Sequence, residues 1–176
     1  MRDYVRSTEA HNTISISGHQ QSEIWSAFRV ARRAKKLFAQ LQQEDDGLYF
    51  SGAFRGFPAL KGGAQHQREV RIYRDMDQLA ELQVNDILSL QGEQSVENRI
   101  HLHPDLQVID LGDGLIECHY QKKLLATIKI GLHDQYTIDS SYYCPQLGKK
   151  FVYQCIIICQ SGRQQIKMNY SITKNI

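Results

Sequence analysis

Residues 106–120 read LQVIDLGDGLIECHY, two alternating apolar and polar runs joined by Gly112-Asp113-Gly114. Alternation puts every second side chain on one face of an extended chain, the pattern of a half-buried strand. Glycine and aspartate tolerate the positive φ that a tight hairpin turn needs. The stretch therefore predicts an antiparallel hairpin, and its pattern recurs on both sides. Residues 12–17 alternate Ile14 and Ile16 with polar neighbours and stop at Gly18. Residues 67–73, 124–130 and 135–142 read the same way, residues 78–90 as a strand pair or one long bent strand, and residues 100–103 as a strand ended by Pro104. Residues 151–160 and 164–173 flank Ser161-Gly162, a second hairpin signal. Regularly spaced strands broken by turn residues predict an all-β fold, a stacked antiparallel β-sandwich.

Two stretches stand apart. Residues 31–44 (ARRAKKLFAQLQQE) are rich in helix formers, with Leu37 and Leu41 four apart, so propensity predicts a helix ending at Asp45-Asp46-Gly47. Phe28 and Val30 can equally open a strand there, because tertiary context overrides propensity. Residues 52–63 (GAFRGFPALKGG) predict a glycine-rich loop anchored by Phe54 and Phe57.

Composition narrows the class. The chain has 176 residues, 41% of them hydrophobic, which is one domain's worth with enough apolar material for a core, and the whole of 1–176 reads as a single domain. Its net charge of +2 argues against a protein built to neutralise nucleic-acid phosphates. The longest apolar run, CIIIC at residues 155–159, is far short of the ~20 residues a membrane-spanning helix needs, so no membrane insertion is expected. The first residues, MRDYVRSTEAHNT, carry charges where a secretory signal needs an apolar core. Cys118, Cys144, Cys155 and Cys159 form no CxxC pair, which excludes a four-thiolate zinc site; Cys155 and Cys159 read as core residues.

Histidine is the commonest metal ligand and proton carrier near neutral pH. His11 sits in Arg6-Ser7-Thr8-Glu9-Ala10-His11-Asn12-Thr13, a polar run leading into a strand, where it reads as a ligand, an anion contact or an ordinary surface histidine. His101 and His103 are two apart and share a strand face, which suits either a two-histidine metal grip or a structural pair. His19, His66, His119 and His133 have no partner at ligand spacing. Arg29, Arg32, Arg33, Lys35 and Lys36 are the one basic concentration, a solvated face or a surface for nucleic acid or acidic polysaccharide. No nucleophile elbow, zincin, P-loop or dinucleotide fingerprint occurs.

The run Arg6-Ser7-Thr8-Glu9-Ala10-His11-Asn12-Thr13, followed by a short strand, Gly18, Gln21-Ser22-Glu23 and WSAFRVARR at residues 25–33, resembles the heparinase II/III-like family. GGAQHQREV at residues 62–70 is similar to its glycine-then-HxR strand, His101-Leu102-His103-Pro104 to its HLHP strand end, and YCPQLG at residues 143–148 to its tyrosine–proline–glycine turn. The resemblance implies polysaccharide lyases and their relatives, which cleave uronic-acid-containing glycans by β-elimination. It implies an α/α-toroid carrying most of the catalytic groups, followed by a β-sandwich that packs against it, closes the cleft and in several members carries zinc. By that pattern His11 is a zinc ligand, while Arg6 and Asn12 orient it or meet a substrate carboxylate; an Arg fits a carboxylate bidentately.

The pattern also places an HxHxD motif and an aspartate before the HNT segment, and this sequence has ten residues there. The expectation is a C-terminal part of a larger protein, cut or restarted at Met1, that holds zinc weakly or not at all by itself. Under the resemblance, residues 31–44 become a strand, and the lack of a leader ceases to argue against the periplasm, cell envelope or extracellular space. The expected partners are acidic polysaccharide and the toroid, with no nucleic acid; catalytic residues are expected outside this chain. The alternative is a non-catalytic carbohydrate-binding or partner-docking sandwich.

Overall fold

The computed structural model describes residues 1–25, 28–75, 78–132, 134–146 and 148–175. The expectation for His133 lies outside these residues.

A short helix, α1 (Arg2–Arg6), and a 3-10 turn over Thr8–Ala10 lead into the strands. These are β1 (Ile14–Ile16), β2 (Glu23–Ile24), β3 (Val30–Ala31), β4 (Lys35–Glu44), β5 (Gly47–Gly56), β6 (Ala64–Asp75) and β7 (Gln78–Ser89). They continue as β8 (Gln94–His101), β9 (Gln107–Gly112), β10 (Leu115–Tyr120), β11 (Lys123–Ile130), β12 (Gln135–Tyr143), β13 (Phe151–Gly162) and β14 (Gln165–Lys174). One sheet has the order β1-β8-β13-β12 and the other β4-β5-β6-β7-β14-β11-β10-β9; β2 and β3 form a separate hairpin. Every described pairing is antiparallel. The expected antiparallel sandwich is the fold observed.

The core lies between the two sheets. Ile14, Ile16, Val96, Ile100, Ile156 and Ile158 enter it from the smaller sheet; Leu88, Ile116, Ile128, Ile130, Ile166 and Met168 enter from the larger. Each such side chain, fully removed from water, contributes about 1.5–3 kcal/mol. β-branched residues dominate because they fit a pleated surface with little loss of χ1 freedom. The 106–120 hairpin forms as expected, with φ of 83°, 51° and 77° at Gly112, Asp113 and Gly114. Among the described residues no helix is long and apolar enough to cross a membrane.

Of the two expectations for 31–44, the helix from propensity fails and the strand implied by the resemblance holds: Lys35–Glu44 is the edge strand β4, paired along β5. An edge strand hydrogen-bonds on one side only, and its polar and charged side chains stay in water, as β4's do. Three other expectations need correction. The glycine-rich loop begins at Phe57, because residues 52–56 complete β5. Phe57 is fully buried at a positive φ of 59°, and Phe54 stacks near it at 6.3 Å, so both anchors hold. The strand expected at 100–103 runs Gln94–His101, and 78–90 is one strand, β7. Ser161-Gly162 reverses the chain without making a hairpin: β13 lies in the smaller sheet and β14 in the larger.

Candidate functional site

Helix α1 sits across the end of the smaller sheet. Its Tyr4 ring meets Tyr142 edge-on at 5.7 Å, and the Tyr4 and Ser141 hydroxyls share a 2.7 Å hydrogen bond. The 3-10 turn then delivers His11 and Asn12 in extended conformation. Asn12 is fixed at both of its polar ends: its Oδ1 accepts from the His101 backbone N–H at 2.7 Å, and its carbonyl accepts from Arg68 Nη1. His11 follows the Thr8 carbonyl with its N–H and leaves its ring exposed.

These residues open on a cleft of about 480 Å³, walled by Tyr4, His11, Asn12, His101, His103, Tyr142, Tyr143 and Tyr153. Tyr143 packs between His103 at 5.6 Å and Tyr153 at 6.4 Å, and Lys150 Nζ lies 3.3 Å from the centre of the Tyr142 ring. A cation over an aromatic face is attracted by the ring quadrupole, so a positive charge is held at the cleft mouth. Tyr142 and Tyr143 are each about two-fifths exposed.

The two expected strand-mates, His101 and His103, separate. His101 closes β8, and its Nδ1 meets the Tyr153 hydroxyl. Burial pushes the His101 imidazole below its ordinary pKa, opposed by the nearby Glu9 carbonyl, and burial raises the Tyr153 phenol. His103 lies past the strand, largely in solvent, with Nδ1 3.6 Å from Asp105 Oδ2. Both line the cleft, the His101 ring engaged with Tyr153 and the His103 ring beside Asp105. Among the described residues no group of three or more His, Cys, Asp or Glu is arranged to hold a metal ion. Arg6 ends α1, half-buried, and is not among the residues walling the cleft.

Beneath the cleft lies a buried polar network that the sequence reading did not find. Asp86, fully buried on β7, accepts from Arg68 Nε at 2.7 Å, Arg68 Nη2 at 2.8 Å, His66 Nε2 at 2.6 Å and Asn98 Nδ2 at 2.7 Å. Burial pushes the Asp86 carboxyl up, and His66 and Arg68 outweigh it, so the net shift is downward. The GGAQHQREV resemblance marked His66 and Arg68, but their shared acceptor stands 20 and 18 residues further on, with no local signal. Cys155 is buried as expected, at 1% exposure, and Cys159 is half-buried; both stand on the face of β13 opposite Ile156 and Ile158, outside the intersheet cluster that holds Cys118.

The fold and site define a two-sheet antiparallel β-sandwich domain with an imidazole- and tyrosine-walled cleft at one end. The chain belongs to the heparinase II/III-like family: the family described as "Heparinase II/III-like, C-terminal" matches residues 1–171. The heparan sulfate lyase HepC from Pedobacter heparinus superposes with a TM-score of 0.72 at 12% identity over 98% of this chain and 25% of that one. A crystal structure of heparinase III gives 0.66 at 11% identity, over 97% and 24%. The chain therefore spans about a quarter of the length of the solved structures it matches. No curated protein matches it.

Proposed function

We propose that this chain is the C-terminal sandwich of a polysaccharide lyase and that its end cleft receives a uronic-acid-containing glycan. The observation that carries the reading is the convergence of His11, Asn12, His101, His103 and the tyrosines on one cleft, in a chain of this family. Flat sugar faces stack on tyrosine rings, and a uronate carboxylate pairs with cationic or N–H donors. Asn12 holds the segment in place, and Arg6, outside the cleft wall, meets only glycan that extends past α1. The proton-abstracting machinery belongs to a toroid that precedes the sandwich in the full protein, which acts in the periplasm, at the cell envelope or outside the cell. His11 is one ligand of a zinc ion completed by residues outside this chain.

Calorimetric titration of the chain with uronate oligosaccharides of defined length tests the reading. Saturable binding that falls at least tenfold in a Tyr142→Ala, Tyr143→Ala variant is expected. No binding to any uronate oligosaccharide overturns it. If the chain binds glycan, but the protein carrying the upstream segment yields no ultraviolet-absorbing unsaturated uronate, a non-catalytic carbohydrate-binding module replaces the lyase.

A further inference from the structure

The aromatic and basic residues just beyond the cleft are not used by that reading, and their arrangement is specific. In the β2–β3 hairpin, Ile24 pairs with Val30, and the Trp25 N–H donates to the Arg29 carbonyl at 3.1 Å. Opposed residues of an antiparallel pair point to one face, so Trp25 and Arg29 stand side by side. Trp25 is 64% exposed and Phe28 83%, with the Arg2 guanidinium 4.1 Å above the Phe28 ring. The hairpin base is fixed from below. Arg32 donates bidentately to Glu23 at 2.7 and 2.8 Å and to the Pro58 carbonyl at 3.1 Å. Glu23, held by Arg32 first and by the Trp25 indole second, has its carboxyl lowered to about 2. The ring of Trp25 is thus presented from a fixed hairpin base and is open to solvent.

Charge sorts the surface. Arg29, Arg33, Lys35 and Lys36 are exposed, and among the described residues none of them forms an ion pair. Glu23 is occupied by Arg32, while Asp3 and Glu9 line the groove beside Trp25. That groove, about 600 Å³, neighbours the cleft, and Tyr4 lines both.

We propose that the β2–β3 hairpin is a second contact for the same acidic glycan, with Trp25 stacking on a sugar ring and Arg29 and Arg33 pairing with its carboxylate or sulfate groups. The inference rests on the cleft reading above and adds where the chain continues beyond it. Arginine suits this task because its planar fork matches both oxyanions bidentately.

Trp25 is the sole tryptophan, so its fluorescence reports this contact alone. The intact chain is titrated with a sulfated heparin-derived oligosaccharide and with an unsulfated uronate oligosaccharide of equal length, alongside calorimetry. Saturable change of Trp25 emission is expected, weakening as salt rises. Trp25→Ala weakens calorimetric binding about tenfold, and Trp25→Phe restores most of it. Arg29→Gln with Arg33→Gln flattens the salt dependence; a larger loss with the sulfated oligosaccharide assigns sulfate, and an equal loss assigns the carboxylate. Circular dichroism confirms that each variant is folded. If glycan binds with Trp25 emission unmoved, or Trp25→Ala binds like the parent while Tyr142→Ala, Tyr143→Ala does not, the second contact is wrong and the cleft stands. If neither oligosaccharide binds the parent, both readings fall.

Discussion

Asp86 shows what single residues do here. Its carboxylate is fully buried and accepts from three side chains, and Arg68, its bidentate partner, also reaches the Asn12 carbonyl at the cleft floor. Removing one partner of a buried pair strands the other charge, at a cost of about 3–5 kcal/mol. Arg68→Met should cost that much in urea unfolding, and Asp86→Leu added to it should recover most of the loss; equal cost in single and double variants would show that the pair is not what matters. Because the folded pKa lies below the ordinary 3.8, Asp86 contributes its full stability above that pH. The contribution fades as pH falls through the lower folded value. Acid unfolding should therefore steepen below about pH 4, and Asp86→Asn should flatten that limb. At this scale the sequence was partly legible. A histidine or arginine announces possible chemistry by its type, whereas the acceptor that ties His66 to Arg68 is visible only once β6 and β7 pair.

The β4–β5 hairpin shows how elements are decided. Gly47 closes it, and a Cβ there would sit 1.8 Å from the Ile72 carbonyl oxygen on β6. That atom is backbone and cannot yield, so Gly47→Ala should destabilise the chain by about 1–3 kcal/mol, read as a fall in the urea midpoint with an unchanged slope. A midpoint equal to the parent would mean that β5 and β6 separate at this end. Alternation identified most strands because one face of each is apolar and the other polar, a purely local signature. Lys35–Glu44 defeated the same method, since an edge strand exposes nearly all its side chains and leaves no alternation to read. The Ser161-Gly162 turn misled for another reason: turn residues mark a reversal, but the sheet that receives the next strand is set by packing. Here the larger sheet offers β7 and β11 to β14, so the strand crosses over. The approach of His11, His101 and the tyrosines depends on the same crossings and has no one-dimensional trace.

At the scale of the molecule, the chain passes between sheets after β1, β7, β8, β11 and β13, so neither sheet can be completed without the other. A core shared in this way predicts one cooperative unit. The cysteines make that testable, because all four are free and they sample different places. Cys118 stands on β10 of the larger sheet at 2% exposure, and Cys155 on β13 of the smaller at 1%. Burial raises both thiols, Cys155 to about 11, so neither supplies thiolate while folded. Cys144, half-buried beside the cleft, should label within the first minutes of exposure to a thiol reagent at pH 8. Cys118 and Cys155 should label together, at a rate that rises with urea in step with global unfolding. Peptide mapping of the labelled chain separates the sites. Labelling of Cys155 well ahead of Cys118 would mean that the smaller sheet, which carries His101 and Tyr153, opens on its own. The cleft would then rest on a marginal element rather than on the common core.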